Sequence, residues 1–274
     1  MDETVLFRVG PLTLERSGRC VLEHAGLVVE PGRVVALLGA NGAGKSSLLA
    51  AMAHDLPARS TVRGQAAITL NGQPLDRLGS ARQARQRAVL TQRPQLNFDL
   101  LVSEVVAMGA YPFPELAVES RGPLMARCLE LAGAAHLEPR RYAGLSGGEQ
   151  QRVQFARVLL QLLAGLECAD SPRYLLLDEP TSSLDPRASQ IVLRAAHRLT
   201  REHPVGVLVV LHDINLATLW ADQLVVLHDG CVLASGTPSD VVRPDLLERV
   251  YGMQAHVISH PQHPERPLVV FGRD

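Results

Sequence analysis

The chain has 274 residues, of which 46% are hydrophobic, 20% are charged and 4% are aromatic, and its formal net charge is −1. A chain of this length can bury a sizeable core, either as one large domain or as a domain with a smaller inserted lobe. The composition is that of a folded globular protein rather than a disordered one. A net charge this close to zero argues against nucleic acid or an anionic membrane surface as the main partner.

Two features of the chain bear on its cellular compartment. The N-terminus, Met-Asp-Glu-Thr, lacks the basic start and apolar stretch of a secretory signal, and apolar runs such as 205–211 are far shorter than the about 18 to 20 residues of a spanning helix. The four cysteines, Cys20, Cys128, Cys168 and Cys231, are scattered without a C-x-x-C pair, as is typical of reduced thiols. We therefore expect a cytoplasmic protein without a transmembrane segment.

Short runs rich in valine and leucine recur between helical patterns, at 34–38, 174–177, 207–211 and 224–227. Continuous apolar runs are typical of parallel strands that are buried on both faces by helices. The predicted fold class is therefore α/β.

The segment 94–144 has a different pattern, with helical stretches at 102–108 and 124–131. We expect Pro112, Pro114 and the pair Gly122-Pro123 to break it into short pieces. After Gly236, the pattern predicts a short helix at 246–251 and then a proline-rich, strand-like tail. The predicted organisation is a single domain with a core (1–93 and 145–252), an inserted helical subdomain (94–144) and a C-terminal tail (253–274).

A phosphate-binding pattern, G-x-x-x-x-G-K-[ST], follows the run 34–38 and opens a predicted helix that carries Leu48, Leu49, Met52 and Leu56. Its glycines let backbone N–H groups converge on phosphate oxygens at a helix N-terminus. Lys45, the only lysine of the chain, would reach the β- and γ-phosphates, and Ser46 would ligate magnesium. The expected nucleotide contacts in this loop are Gly39, Ala40, Asn41, Gly42, Ala43, Gly44, Lys45, Ser46 and Ser47.

Two adjacent carboxylates, Asp178 and Glu179, end the run 174–177 at the edge of the sheet where ligands of open α/β folds bind. Neighbouring side chains at a strand end are expected to have different roles. Asp178 is placed to hold magnesium through water, and Glu179 is placed to orient or deprotonate the attacking water.

A second anion site is predicted at 145–150, Leu-Ser-Gly-Gly-Glu-Gln, which precedes a helix with the apolar stripe Val153, Ala156, Leu159, Leu160 and Leu163. Ser146 is an N-cap by residue type, and the two glycines after it leave bare N–H groups at the helix start. A single chain has no evident need of two phosphate sites for one nucleotide, unless the second site completes that of another copy.

These elements together resemble the nucleotide-binding subunit of ATP-binding-cassette transporters over nearly the whole chain. The resemblance implies an ABC-type P-loop NTPase fold, with a RecA-like core, a mostly parallel sheet, an antiparallel β edge and an inserted helical subdomain. It also implies an ATPase that uses ATP and Mg²⁺. In this family two subunits meet head to tail, so Ser146 and Gly148 of one copy, with Gly147 between them, would contact the γ-phosphate bound by Lys45 of the other. The usual fifth residue of this signature is glutamine, and here it is Glu149.

Other elements of the family occur in order along the chain. Gln92 resembles the residue that senses magnesium and γ-phosphate, and it leads into the lobe that faces the membrane partner. The stretch 183–185 resembles the loop that crosses the dimer interface, and His212 resembles the histidine that contacts the γ-phosphate. The family commonly stacks an aromatic residue on the adenine, but 12–20 contains none, so Arg16 could stack there instead.

The whole pattern is most similar to ATPase subunits of haemin importers, within a group that also serves iron–siderophore and vitamin B12 uptake. The features that carry this resemblance are the phosphate loop, the long spacing at 161–173, the stretch 210–217 and the tail 247–252. It implies a homodimer of cassettes on a transmembrane permease dimer, at the cytoplasmic face of the bacterial inner membrane. A periplasmic haem-binding protein would act through the permease.

Alternative functions are the ATPase of a siderophore or vitamin B12 importer, a cassette ATPase that acts on DNA or ribosomes, and a nucleotide-binding regulator without turnover. The second is disfavoured because the chain has neither long heptads nor a second cassette with a basic linker, and we expect no nucleic acid partner. The third is disfavoured by the presence of both Glu179 and His212.

Overall fold

The computed structural model describes residues 6–62, 64–92 and 98–272. Within these ranges the strands are β1 (Phe7–Arg16), β2 (Arg19–Val29), β3 (Val34–Gly39), β4 (Arg59–Ser60), β5 (Ile68–Leu70), β6 (Gln73–Pro74), β7 (Arg87–Leu90), β8 (Arg173–Asp178), β9 (Val205–Val210), β10 (Gln223–His228), β11 (Cys231–Gly236), β12 (Ala255–Ser259) and β13 (Pro267–Phe271). The helices are α1 (Lys45–Met52), α2 (Ser80–Gln86), α3 (Val102–Ala107), α4 (Val118–Leu131), α5 (Gly147–Cys168), α6 (Pro186–Glu202), α7 (Ile214–Trp220), α8 (Pro238–Val241) and α9 (Pro244–Tyr251).

The central sheet has the strand order β11-β10-β3-β9-β8-β7, with all pairs parallel except β10 and β11. Every residue of β3, β8 and β9 is buried, as the continuous apolar runs predict. The predicted run 207–211 differs from β9 only at its ends. Because parallel strands end at the same edge of a sheet, the segments after β3, β7, β8 and β9 lie side by side.

The central sheet separates two hydrophobic cores, and β3 contributes side chains to both. Val34, Ala36 and Leu38 face the core that contains α5 and the helical lobe. Val35 and Leu37 face the core built with α1 and a second, antiparallel sheet of order β2-β1-β5-β6, in which β4 also pairs with β1. Side chains alternate between the faces of a strand, so a strand between two cores must be apolar throughout.

The helix after the phosphate loop is shorter than the sequence predicts. The structure ends α1 at Met52, and Leu56 lies in the turn that follows rather than on the helix. His54 adopts a φ of +63°, and a residue in the left-handed region ends a helix.

The lobe after residue 98 packs α3 and α4 against α5, which runs for 22 residues with the predicted apolar stripe buried. The expectation that Gly122-Pro123 breaks this lobe is wrong, because α4 continues from Val118 through both residues. Pro123 is exposed, and its only cost to the helix is the missing hydrogen bond from its nitrogen to the carbonyl of Glu119, which is also exposed. The buried face of the same helix, Leu124, Cys128 and Leu129, remains packed. The predicted start of the lobe, residue 94, lies outside the described residues.

The chain after β11 forms α8, α9 and an antiparallel hairpin of β12 and β13. The helix predicted at 246–251 is the larger part of α9, and the strand-like tail is this hairpin. In the part of the chain that the structure describes, no helix is both long enough and apolar enough to cross a membrane.

Candidate active site

Four predicted site segments meet at the carboxyl edge of the central sheet. The phosphate loop follows β3, Glu179 follows β8, His212 comes two residues after β9, and Gln92 comes two residues after β7. A cleft of about 300 Å³ is lined there by Arg16, Val21, Asn41, Gly42, Gly44, Lys45, Ser46, Ser47, Glu179 and His212. The sequence predicts all of these residues except Val21. No sequence pattern marks Val21, which lies on β2 close to the β1–β2 turn.

The phosphate loop requires glycine at two positions. Gly39 has a φ of +148°, and a Cβ there would lie 2.2 Å from the carbonyl oxygen of Leu227. Gly44 has a φ of +103°, and its Cβ would lie 2.6 Å from Leu22. The loop is therefore held in a conformation that other residues cannot adopt without moving β2 or β10.

Lys45 is buried at the start of α1, with 5% of its surface exposed. Its Nζ donates hydrogen bonds to the carbonyls of Gly39 and Ala40, both at 2.9 Å. Burial lowers the pKa of this ammonium, while the nearby charges of Glu179 and Asp178 act in the opposite direction. The structure thus places the Lys45 amino group inside the loop where phosphates are expected.

Ser46 and Asp178 supply the oxygen atoms of the expected magnesium site. The Ser46 Oγ donates a hydrogen bond to Asp178 Oδ1 at 3.3 Å. Asp178 is 8% exposed, and both its burial and the charge of Glu179 raise its pKa. A hard divalent cation with oxygen ligands would relieve this crowding of negative charge, so the donor set fits Mg²⁺.

Glu179 is at the centre of the remaining contacts. It is a non-glycine residue with a φ of +49°, a strained backbone conformation of the kind found at many active sites. Gln92 Nε2 donates a hydrogen bond to one carboxylate oxygen of Glu179 at 2.6 Å, and His212 Nε2 lies 2.6 Å from the other. The structure therefore brings Gln92 and His212 onto the same carboxylate, an arrangement that can orient a water molecule and accept its proton.

The second anion site forms at the N-terminus of α5, and it is not part of this cleft. Ser146 caps the helix by accepting a hydrogen bond from Glu149 N–H at 3.4 Å. The Glu149 carboxylate accepts hydrogen bonds from the Ser146 N–H and hydroxyl, both at 2.8 Å, and pairs with Arg140 at 2.9 Å. These bonds lower the pKa of Glu149. The sequence identified Ser146 as a cap but not the pairing of Glu149 with Arg140.

The predicted interface loop lies directly beside this second site. A Cβ on Gly148 would approach the carbonyl oxygen of Ser183 to 2.8 Å, so only glycine allows α5 to begin so close to this loop. Asp185, at the end of the same loop, caps α6 by accepting a hydrogen bond from Ala188 N–H at 2.8 Å. The two backbone N–H groups of Gly147 and Gly148 thus stand at a fixed surface position, separate from the residues that line the phosphate cleft.

Comparisons with known proteins agree with this geometry. A family model described as "ABC transporter" matches residues 22–182, which is more than half of the chain. A hemin import ATP-binding protein, HmuV, of Bordetella avium is 52% identical over 259 residues, which cover 94% of this chain and 97% of that protein.

Solved structures show the same fold. An ATP-binding subunit of an ABC transporter aligns with a TM-score of 0.73 and 27% identity, covering 90% of this chain and 94% of that chain. A dimeric ATP-binding cassette bound to ADP and Pi aligns with a TM-score of 0.70 and 22% identity, covering 85% of this chain and 98% of that chain. The chain therefore belongs to the ABC transporter family, as an ATP-hydrolysing subunit.

Proposed function

We propose that this chain hydrolyses MgATP between two copies of itself and thereby powers the import of haemin through a membrane permease. The observation that carries the cargo assignment is the 52% identity to a hemin import ATP-binding protein over 94% of the chain. The observation that carries the catalytic assignment is the meeting of Lys45, Asp178, Glu179 and His212 at one edge of the sheet.

The phosphates of ATP bind in the loop 39–47, where the backbone N–H groups and the Lys45 ammonium surround the β- and γ-phosphates. Ser46, Gln92 through its amide oxygen, and Asp178 through water would hold Mg²⁺. When bound, the ion neutralises charge on the phosphate oxygens. The buried carboxylate of Asp178 and the Ser46 hydroxyl bonded to it support this assignment.

Glu179 acts as the general base. A water in line with the γ-phosphate gives its proton to a Glu179 oxygen as the new P–O bond forms and the bond to the ADP oxygen breaks. His212 and Gln92 hold the carboxylate from both sides. Both side chains would also contact the γ-phosphate of bound ATP. ADP and inorganic phosphate leave when the two copies separate.

Ser146, Gly147 and Gly148 complete the site of the second copy. Their place at the start of α5, away from the cleft of their own chain, supports a head-to-tail dimer in which they reach the partner's γ-phosphate. A cassette with the same fold has been solved as a dimer with ADP and Pi. Closure excludes water and is coupled to ATP binding because the clamp forms only with the nucleotide between the copies.

The helical subdomain, proposed as 94–144, couples this closure to the permease. A groove of about 720 Å³ in this lobe is lined by apolar residues that include Met108 and Met125, and Tyr111 on its rim is 90% exposed. This apolar surface suits a permease segment, and the proposed subdomain begins two residues after Gln92 in the sequence. The permease dimer would place the chain on the cytoplasmic face of the inner membrane, with a periplasmic haem-binding protein acting from the other side.

Growth of a strain that lacks this gene tests the cargo, with haemin as the sole iron source and an iron siderophore as the control. Loss of growth on haemin alone, restored by the wild-type gene but not by Glu179→Gln, supports haemin import. Normal growth on haemin with failure on the siderophore would instead assign a siderophore as the cargo.

A further inference from the structure

The helix α7 starts directly after His212 and Asp213 and has only seven residues. A helix this short is unstable by itself in water, so its position must come from contacts with the rest of the protein. The His212 side chain is 46% exposed, and its ring touches Glu179. The placement of this ring therefore depends mainly on the backbone between β9 and the first turn of α7.

The C-terminal hairpin holds the first turn of α7 through Asn215. The Asn215 side chain donates a hydrogen bond to the carbonyl of Val269 at 3.0 Å and accepts one from the N–H of Val269 at 2.8 Å. Both functional groups of the amide are thus used on one residue of β13. Within the same turn, Asp213 caps the helix by accepting hydrogen bonds from the N–H groups of Asn215 and Leu216.

The same hairpin holds the other end of α7 through Arg266. The Arg266 guanidinium donates hydrogen bonds to the carbonyls of Thr218 at 3.2 Å and Ala221 at 2.6 Å. A cation at the C-terminal carbonyls of a helix is favourable, since these groups lack partners within the helix. Asn215 and Arg266 therefore fix the start and the end of α7 to one element.

The hairpin is itself a fixed platform. Its residues Ala255 and Val269 are buried in the same core as Leu246 and Leu247 of α9. Because both strands are anchored in this core, a movement of α7 relative to the hairpin would break the four hydrogen bonds made by the Asn215 and Arg266 side chains.

We propose that the C-terminal hairpin positions His212 for hydrolysis, with Asn215 and Arg266 as the positioning residues. Neither residue lines the phosphate cleft, so each acts on the reaction through the placement of α7. The inference rests on the proposed role of His212, and it assigns to the C-terminal segment a part in the chemical step.

Steady-state ATPase assays of the full-length protein test the proposal. We expect Asn215→Ala and Arg266→Ala each to reduce kcat about 5- to 20-fold while KM for ATP changes less than twofold, because the phosphate loop is untouched. Arg266→Lys should retain most of kcat, because an ammonium can still donate to the Thr218 and Ala221 carbonyls. Ile258→Thr, on the exposed face of the hairpin, is the matched control and should leave kcat unchanged.

A double-mutant cycle with His212→Ala distinguishes positioning from a general loss of stability. In the His212→Ala background, Asn215→Ala should cause no further loss of kcat. Independent, multiplicative losses would overturn the proposal, as would a wild-type kcat for both Asn215→Ala and Arg266→Ala.

If His212→Ala itself leaves kcat unchanged, the proposed role of His212 fails. If His212→Ala lowers kcat but the two hairpin variants do not, only the positioning role fails. Should Asn215→Ala not fold, the comparison of Arg266→Ala with Arg266→Lys carries the test.

Discussion

Single residues at the active site are held in states that the rest of the protein must stabilise. The Lys45 side chain has only 5% of its surface exposed, and Glu179 has a left-handed backbone. Both features cost stability in themselves, by desolvation and by backbone strain. Residues that lower the stability of the folded protein are typical of functional sites, where the residue is needed for binding or chemistry rather than for stability.

Replacement of Lys45 by methionine should separate nucleotide binding from stability. Methionine is unbranched and of similar length, so it removes the charge and the two hydrogen bonds to Gly39 and Ala40 with little change of shape. We expect the Kd for ATP to rise about 100-fold or more, since loss of charge-assisted bonds to phosphate costs about 3 kcal/mol. The melting temperature should stay the same or rise, because a desolvated charge is removed.

Titration calorimetry and thermal unfolding of the same samples measure both quantities. Lys45→Arg is the matched control for charge: the broader guanidinium does not fit between two backbone carbonyls, so binding should fall here as well. Unchanged affinity in Lys45→Met would remove Lys45 from the site.

Elements were predictable from the sequence where local pattern and tertiary packing agree. The continuous apolar runs identified four strands of the central sheet, and the stripe from Val153 to Leu163 identified the buried face of α5. The glycine pattern at 39–46 predicted a tight loop after β3, and Gly39 and Gly44 both have a positive φ there.

The failures occur where a distant contact overrides the local signal. Gly122-Pro123 predicts a break, but packing of Leu124 and Cys128 against α5 keeps α4 intact. The hydrogen bonds of Asn215 with Val269 join residues 54 positions apart, and no short-range pattern reveals such a pair. The left-handed backbone of Glu179 is likewise not predictable from its residue type.

The two weak helix formers of α4, Gly122 and Pro123, can be replaced without affecting the catalytic site. Pro123→Ala restores a donor for the Glu119 carbonyl, and Gly122→Ala replaces the weaker helix former at a position where a Cβ meets no atom within 4 Å. We expect each change to raise the free energy of unfolding by about 1 kcal/mol, with ATPase activity unchanged. Guanidinium unfolding followed by circular dichroism measures this, and a loss of stability in both variants would contradict the account of α4.

At the scale of the whole molecule, two cores share one sheet, and the larger core joins the helical lobe to the catalytic strands. Cys128 of α4 lies in that core beside residues of α5 and is fully buried. Burial raises the pKa of its thiol to about 12. If the helical lobe moved away from α5, this core would open and the Cys128 thiol would become accessible to solvent.

Thiol labelling tests this packing. At pH 8 we expect Cys20 and Cys231, which are exposed, to react quickly in the folded protein, while Cys128 stays unmodified. A pKa of about 12 instead of about 9 leaves roughly a thousandfold less thiolate, and burial adds a steric barrier. Mass spectrometry identifies the labelled sites, and labelling in guanidinium, where all four should react, is the control. Labelling of Cys128 at the rate of Cys20 would show that the lobe opens freely.

We infer that Glu179 is the base of an ATPase that works as a closed dimer. The most direct test is light scattering and ATP turnover of Glu179→Gln with MgATP, with Glu130→Gln on the exposed face of α4 as the matched control. The account predicts that Glu179→Gln loses turnover by at least about 100-fold and accumulates as a particle of twice the 29.6 kDa chain mass, while the control behaves as wild type. Wild-type turnover in Glu179→Gln would contradict the account.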